Sequence, residues 1–421
     1  MSDFIALNAM QRSSNGVYTL PRETPVFGYS DGEDTEQALD QILSNAKDLS
    51  SSSSELEAAV TDWPTEYHLS STRANLLRAL DLTHCTTVLE LGCGCGSISR
   101  YLGEQEHLQV DAVEGSPVRA ALAAKRCADL SNVRLATANF NDLEFPKAHY
   151  DLVLFVGVLE YAGRFSERDS DQEAALDLLA LAKQCLKPNG IAIVAIENRT
   201  GLKYLYGANE DHYAVPYVGV ENYPDSTGIR TYDLDQWHSL LAKSNFDSHK
   251  VLLPFPDYKI PTLIISDDES ADKSELKQSL KAIISRDYCA PIGANVLGDN
   301  ESQLWRGVVE ASCLTRLSNS YLWVLGSSTS QVNKVLPKKA TTSFKAPVFK
   351  YLTPASAQST NASTTDTHTR IERLHAHINS QQEQIDSLQQ HAEALADRVK
   401  AMSASKGWRL LSAIRRLVGR G

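Results

Sequence analysis

The sequence predicts a doubly wound, mostly parallel α/β sheet, and three observations carry that prediction. Short β-branched runs alternate with longer helical patterns from Thr87 to about Ile265, as expected of βαβ units covered on both faces. An apolar strand, Val88 to Leu91, runs straight into glycines at 92, 94 and 96. A second strand ends in Glu114, twenty-two positions beyond Gly92, where a carboxylate can accept hydrogen bonds from a ribose.

Taken in order, residues 1–66 read as an appended N-terminal arm. A helical stretch near Thr35–Lys47 follows the turn-rich Tyr29–Gly32, and five consecutive serines, Ser50–Ser54, then read as a flexible joint. Residues 67–326 form the main domain. Strands are expected at Thr87–Leu91, Gln109–Glu114, Val133–Ala136, Tyr150–Val156 and Ile191–Ile196, with helices near Ser97–Glu104, Pro117–Ala128, Glu173–Leu186 and Asp233–Lys243. An inserted helical segment, about 266–316, carries stretches near Lys273–Ser285 and Gln303–Leu317. Tyr321–Leu325 then reads as the closing edge strand, partnered with His249–Leu253.

Residues 327–369 are rich in Ser, Thr, Ala, Lys and Pro without a period and read as a disordered linker. Over 370–403 the a and d positions hold Ile371, Leu374, Ile378, Ile385, Leu388, Ala392, Leu395, Val399 and Met402, with Gln381 the one polar d. This is a coiled coil, and it implies self-association; an amphipathic helix docked on the main domain is the plainer alternative. Residues 404–421 gather Trp408, Leu411, Ile414, Leu417 and Val418 on one side of a helix that carries five cations and no acid from Lys406 to Arg420. Such a helix suits an anionic bilayer surface or an acidic partner.

The 421 residues hold 41 Lys plus Arg against 52 Asp plus Glu, for a net charge of −11. That sign argues against a general nucleic-acid binder. The opening residues lack the pattern of a secretory signal, and no apolar run reaches the roughly 18 residues of a spanning helix. Seven scattered cysteines do not look like a disulfide framework. The expected location is a reducing cytoplasm, with peripheral contact at the inner membrane's cytoplasmic face through the basic tail. Cys93 and Cys95 make half a zinc site that nothing at ligand spacing completes, so no metal is expected.

The turn Gly92-Cys93-Gly94-Cys95-Gly96 lets the backbone leave the strand sharply and a ligand approach without a Cβ in the way. Its spacing differs from the G-x-G-x-x-G of dinucleotide folds. Together with Glu114 it points to a nucleoside ligand. The stretch from about Tyr67 to Ile265 resembles class I S-adenosylmethionine-dependent methyltransferases, which are Rossmann-like. That resemblance implies S-adenosylmethionine as cofactor, with Glu90, Gly92, Gly94 and Gly96 on its methionine and ribose side. It also implies Glu114 on the ribose, Asn139 and Phe140 on the adenine, and Gly157 with Glu160 where the methyl group meets the acceptor. Phe140 as a core residue and Glu160 as a solvated helix-start carboxylate are equally open.

Longer strings narrow the likeness. Trp63–Ser70 with Arg73 and Asn75, Ile196–Tyr204, Glu210–His212 and Pro254–Lys259 are similar to bacterial methyltransferases of surface-polysaccharide (O-antigen type) gene clusters. This narrower resemblance implies O-methylation of a sugar or glycan end, with glycosyltransferases as candidate partners. The long polar and aromatic loop after the fifth strand suits a carbohydrate, with Tyr204, Glu197, Asp257 and Tyr258 as acceptor-binding candidates. A hydroxyl acceptor calls for a base. His212 is the first choice because imidazole titrates near working pH, with Asp211 orienting it or serving as the base itself. Two other readings stay open: a methyltransferase for a small molecule or lipid, and a coiled-coil scaffold whose cofactor domain is regulatory or inactive.

Overall fold

A computed structural model describes residues 3–21, 30, 32–267, 271–290, 296–347 and 349. The chain divides into two units at Leu352 and Thr353. The expected coiled coil and basic tail and most of the expected linker's second half lie outside the described residues, as do two of the four residues of the turn at 29–32.

Among the described residues eleven strands form one sheet. In chain order they are β1 (Gln11–Arg12), β2 (Tyr18–Thr19), β3 (Thr87–Leu91), β4 (Gln109–Glu114), β5 (Val133–Thr137), β6 (Tyr150–Val156), β7 (Leu186–Glu197), β8 (Ser248–Phe255), β9 (Leu263–Ser266), β10 (Ser320–Gly326) and β11 (Thr341–Ser343). Their spatial order is β1-β2-β5-β4-β3-β6-β7-β10-β8-β9-β11. From β2 to β7 neighbours run parallel; every pair beyond β7 is antiparallel. The expected central strands agree with the structure to within a residue, apart from β7, which starts earlier, at Leu186.

The order reverses at β3, with β4 on one side and β6 on the other. A crevice therefore opens at its carboxyl end, where open α/β sheets bind ligands. Alternation along β3 sends Leu89 and Leu91 into the apolar cluster on one face and Val88 into that on the other. Glu90 shares the face of Val88 and is 2% exposed.

Five expectations need correction. The run Tyr321–Leu325 does pair with β8, but β10 sits between β7 and β8 rather than at the edge. All seven of its residues are buried, and a strand apolar on both faces belongs in a sheet interior, not at an edge open to water. The linker read from 327 onward begins with structure: helix Thr329–Val335 buries Val332 and Val335 against the sheet, and β11 pairs with β9. Two apolar positions three apart are too few to register as a period.

The N-terminal arm is part of the body. Phe4 is fully buried in the main core and β2 extends the sheet beside β5. Helix Glu33–Asn45 and Leu56 form a cluster with Leu69, Cys95 and Leu122, each buried leucine contributing about 1.5–3 kcal/mol. The serine run is not a loose joint: Ser53 caps helix Ser54–Ala58, and Ser51 donates to Glu104 from both its N–H and its hydroxyl at 2.7 and 2.5 Å. Serine's capacity to cap, not its flexibility, decides this segment. In the insertion, the expected helices are shorter, Lys273–Ser279 and Glu301–Glu310; the second is broken where Ser312 takes φ +56°. Trp305 is fully buried edge-on to Phe255, centroids 5.1 Å apart, which anchors the insertion at the end of β8.

Candidate active site

The turn after β3 is built on left-handed glycines: Gly92, Gly94 and Gly96 have φ of +77°, +56° and +79°. A Cβ at Gly92 would stand 2.4 Å from a Val158 methyl, and one at Gly96 would stand 2.8 Å from the Ala123 Cα. The turn is tied to the end of β4. Gly94 N–H donates to one Glu114 oxygen at 2.8 Å and Ser116 N–H to the other at 3.0 Å. Each carboxylate oxygen keeps a lone pair for a further donor, so Glu114 can hold the turn and still receive ribose hydroxyls.

A cavity of about 370 Å³ opens over this turn, within the size range of small-molecule sites. Glu90, Gly92, Gly94, Glu114, Asn139, Phe140 and Gly157 all line it. Gly96 does not; its role is to let the following helix pack against Ala123. Phe140 is half-buried facing the cavity, with Asn139 capping its 3₁₀ turn through a bond from Asn141 N–H at 3.1 Å. Burial pushes the Glu90 carboxyl up to about 7, against a 2.6 Å bond from the Ser99 hydroxyl that favours its ionised form. Sequence reasoning did not place Tyr67, His68 and Arg73 at the site, yet they line the cavity from the segment that opens with helix Trp63–Leu69. Arg73 donates to the Lys259 carbonyl at 2.6 Å and lies 4.2 Å from the centre of the Tyr67 ring.

Beside the cavity, next to lining residues Val158 and Tyr161, the 3₁₀ turn Leu159–Tyr161 holds Glu160. Here the structure gathers side chains from the ends of β6 and β7 and from two loops. His212 Nδ1 lies 2.8 Å from Glu210 Oε1, its Nε2 lies 3.7 Å from Glu160 Oε1, and its ring stands edge-on to Tyr161 at 5.3 Å. Asp211 is not the partner of His212. It faces Lys259 and Lys203 at 2.7 and 3.2 Å. Lys203 also donates to Asp257 at 3.0 Å, and Lys259 to Glu197.

These contacts correct the catalytic expectation. Burial opposes charge on His212, but the Glu210, Glu160 and Glu197 carboxylates prevail and hold its pKa well above the ordinary imidazole value. An imidazole kept protonated is not a base at neutral pH. Burial likewise works to raise Asp211, yet the two ammonium groups hold it far below the usual carboxylate range, which makes it a poor base as well. Burial raises Glu197 to about 7 in spite of Lys259. Asp257 is 1% exposed and clamped by Lys203, so it fixes the loops rather than facing the cavity. Tyr204 is 3% exposed, under the Lys203 ammonium at 4.7 Å, and does not line the cavity either. Tyr258 is closer in: its hydroxyl lies 2.6 Å from where a Cβ on Gly157 would sit. The orienting residue that sequence reasoning missed is Glu210, which also accepts from the N–H groups of His212 and Tyr213 at 2.8 and 3.0 Å. Its adjacency to the singled-out Asp211-His212 pair was the available signal.

Residues 88–190 match the methyltransferase domain family. Curated relatives include the ubiquinone biosynthesis O-methyltransferases of Rickettsia prowazekii, 28% identical over 38% of this chain and 58% of that protein, and Rickettsia akari, 30% identical over 31% and 48%. The chain spans about half the length of the curated relatives it matches. Among solved structures, Haemonchus contortus phosphoethanolamine N-methyltransferase 2 with S-adenosyl-L-methionine aligns at 16% identity, covering 58% of this chain and 49% of that one, with a TM-score of 0.33. An Archaeoglobus fulgidus methyltransferase aligns at 15% over 62% and 96%, with a TM-score of 0.34. The stretch that builds the glycine turn and the strands beside it, residues 88–190, is thus similar to methyltransferase domains.

Proposed function

We propose that the chain is an O-methyltransferase whose acceptor hydroxyl enters between the cofactor cavity and the Glu160–His212 cluster. The observation that carries the reading is the cavity itself. Its floor is a glycine turn at positive φ with no room for a Cβ, and Glu114 keeps acceptor capacity at the ribose position. When bound, S-adenosylmethionine supplies a methyl group activated on a sulfonium. The chain's own residues do the rest. Glu114 receives the ribose, Asn139 and Phe140 flank the base, and Glu90 stands at the methionine end. Gly157, which has no Cβ, lets Tyr258 approach the transfer point. Most of the acceleration then comes from holding the acceptor oxygen in line.

The acceptor proton has Glu160 as its nearby candidate recipient. Among the described residues neither Glu160 oxygen has a hydrogen-bond partner, and the residue lies in the chain between the cavity-lining Val158 and Tyr161. His212, held as a cation by Glu210, offsets negative charge on the acceptor oxygen. A sugar or glycan end is the acceptor that the polar cluster of Glu160, Glu197, Glu210 and His212 beside the cavity supports, in keeping with the surface-polysaccharide strings. A hydrophobic hydroxyl compound is the second reading. Leu205, Tyr206, Val215 and Tyr217 are exposed on the adjoining loop, and the named relatives are ubiquinone biosynthesis enzymes. Incubation with radiolabelled cofactor decides. Label in sugar nucleotides or isolated polysaccharide supports the glycan, and label confined to lipid extract supports the second reading. Failure to bind S-adenosylhomocysteine at all refutes both. Among the described residues no helix is long and apolar enough to cross a membrane, and we read the basic 404–421 segment as peripheral contact.

A further inference from the structure

We propose that Glu160, Glu197 and His212 form a site for a divalent first-row metal ion, Mn²⁺ or Zn²⁺, beside the cofactor cavity. One donor atom from each of the three lies within 4.8 Å of the other two. The residues come from the end of β6, the end of β7 and the loop beyond, so no linear spacing reveals them. Both Glu160 oxygens and Glu197 Oε2 lack a hydrogen-bond partner among the described residues, although each of these side chains is only 1% exposed. Buried carboxylate oxygens left bare are costly, and two of them with an imidazole nitrogen make a donor set suited to such ions.

The surroundings are arranged for a ligand. Glu210 holds His212 Nδ1 at 2.8 Å, which leaves Nε2 as the atom turned toward Glu160 at 3.7 Å. A carboxylate behind a ligating histidine is the usual means of fixing its ring and tautomer. Lys259 engages Glu197 through Oε1, leaving Oε2 free. Donors about 2.1 Å from a common ion stand about 3 to 4 Å apart, so sub-ångström side-chain shifts complete the cage. Charge points the same way: among the described residues, Glu160, Glu197, Glu210, Asp211 and Asp257 form ion pairs with Lys203, Lys259 and the imidazole alone. Three protein ligands leave open positions, and Lewis acidity there would polarise an acceptor hydroxyl.

This inference rests on the methyltransferase reading only for what the open positions face. The test uses the full chain, stripped with chelator and titrated with MnCl₂ alone, with bound Mn²⁺ read by electron paramagnetic resonance; ZnCl₂ competition comes next. The expected result is one Mn²⁺ per chain, displaced by Zn²⁺, with affinity at least tenfold weaker in Glu160→Gln and in His212→Asn. S-adenosylhomocysteine titrations of the same samples report that the fold and cofactor site are intact. Wild-type chain that binds S-adenosylhomocysteine but takes up neither metal at millimolar concentration overturns the proposal while leaving the methyltransferase reading in place. Uptake unchanged in Glu160→Gln overturns it too.

Discussion

Glu90→Gln tests the electrostatics at the heart of the cavity. In the fold the Glu90 carboxyl titrates near about 7 because it is buried, against an ordinary value of 4.5. A raised carboxyl pKa means the folded state binds the proton more tightly than the unfolded chain. Stability is therefore undiminished below pH 4.5 and falls as pH rises through the window up to about 7. Between pH 5 and pH 8 the linkage relation makes that loss about 2.5 kcal/mol. Glutamine is uncharged throughout and keeps an oxygen to accept from Ser99, so the variant should lack this loss. Its extra buried N–H groups cost about 1–3 kcal/mol at every pH if unpaired, which shifts the curve without changing its slope. The assay is urea unfolding at pH 5, 6, 7 and 8, followed by tryptophan fluorescence, with Trp237, Trp305 and Trp323 reporting from the core. The variant should also lose preference for S-adenosylmethionine over the neutral-sulfur product, because the carboxylate that favours a sulfonium is gone. Equal pH dependence of stability in wild type and variant would refute the argument.

Gly96→Ala should cost at least about 2 kcal/mol, since φ +79° is unfavourable for a side chain and the new Cβ meets the Ala123 backbone; thermal unfolding measures it, and an unchanged midpoint contradicts the packing described. Asp211→Asn leaves Lys203 and Lys259 short of their shared carboxylate, a loss of about 3–5 kcal/mol for a buried pair broken on one side; a urea midpoint within error of wild type would show the clamp is dispensable. His212→Asn should lower methyl transfer about 100-fold with S-adenosylhomocysteine affinity within twofold, and retained turnover removes His212 from the reaction. Deleting 404–421 should move the protein from the membrane pellet to the soluble fraction; an unaltered distribution defeats the peripheral reading.

How much was legible depends on which constraints are local. Parallel strands buried on both faces read as apolar runs, so β3, β4 and β6 could be bounded from their own residues. The glycine turn was legible because a backbone at positive φ demands one residue type, and Glu114 because it ends a strand at a fixed distance from that turn. His212 was recognised as chemistry-bearing, but its charge could not be read from the sequence, since the carboxylates at 160, 197 and 210 that favour its protonated form come together only in the fold. The position of β10 was misread because pairing with β8 is compatible with either side of that strand. The arm was misread at Ser51 and Ser53, whose bonds reach residues that sequence order does not bring near.

The buried charges make one further demand on the chemistry. Methyl transfer removes positive charge from the sulfonium while the acceptor oxygen sheds its proton. An oxygen gaining negative charge about 4 Å from a carboxylate meets a repulsion on the order of 4 kcal/mol at an effective dielectric of 20. Glu160 and Glu197 stand together beside the cavity, so an unbalanced site would slow the reaction it hosts. Lys259 does pair with Glu197, but Asp211 and Asp257 engage the same two lysines, so Lys203 and Lys259 already face three carboxylates before Glu160 is counted. The compensating charge has to sit where His212 Nε2 faces Glu160, as a proton on the imidazole or as a metal ion in its place. The two occupants separate by pH: a proton is lost as the medium becomes alkaline, whereas a metal is lost as it becomes acidic. With Mn²⁺ present, turnover should therefore extend to higher pH than in chelator-treated protein. Coincident pH profiles would show that the proton alone supplies the charge.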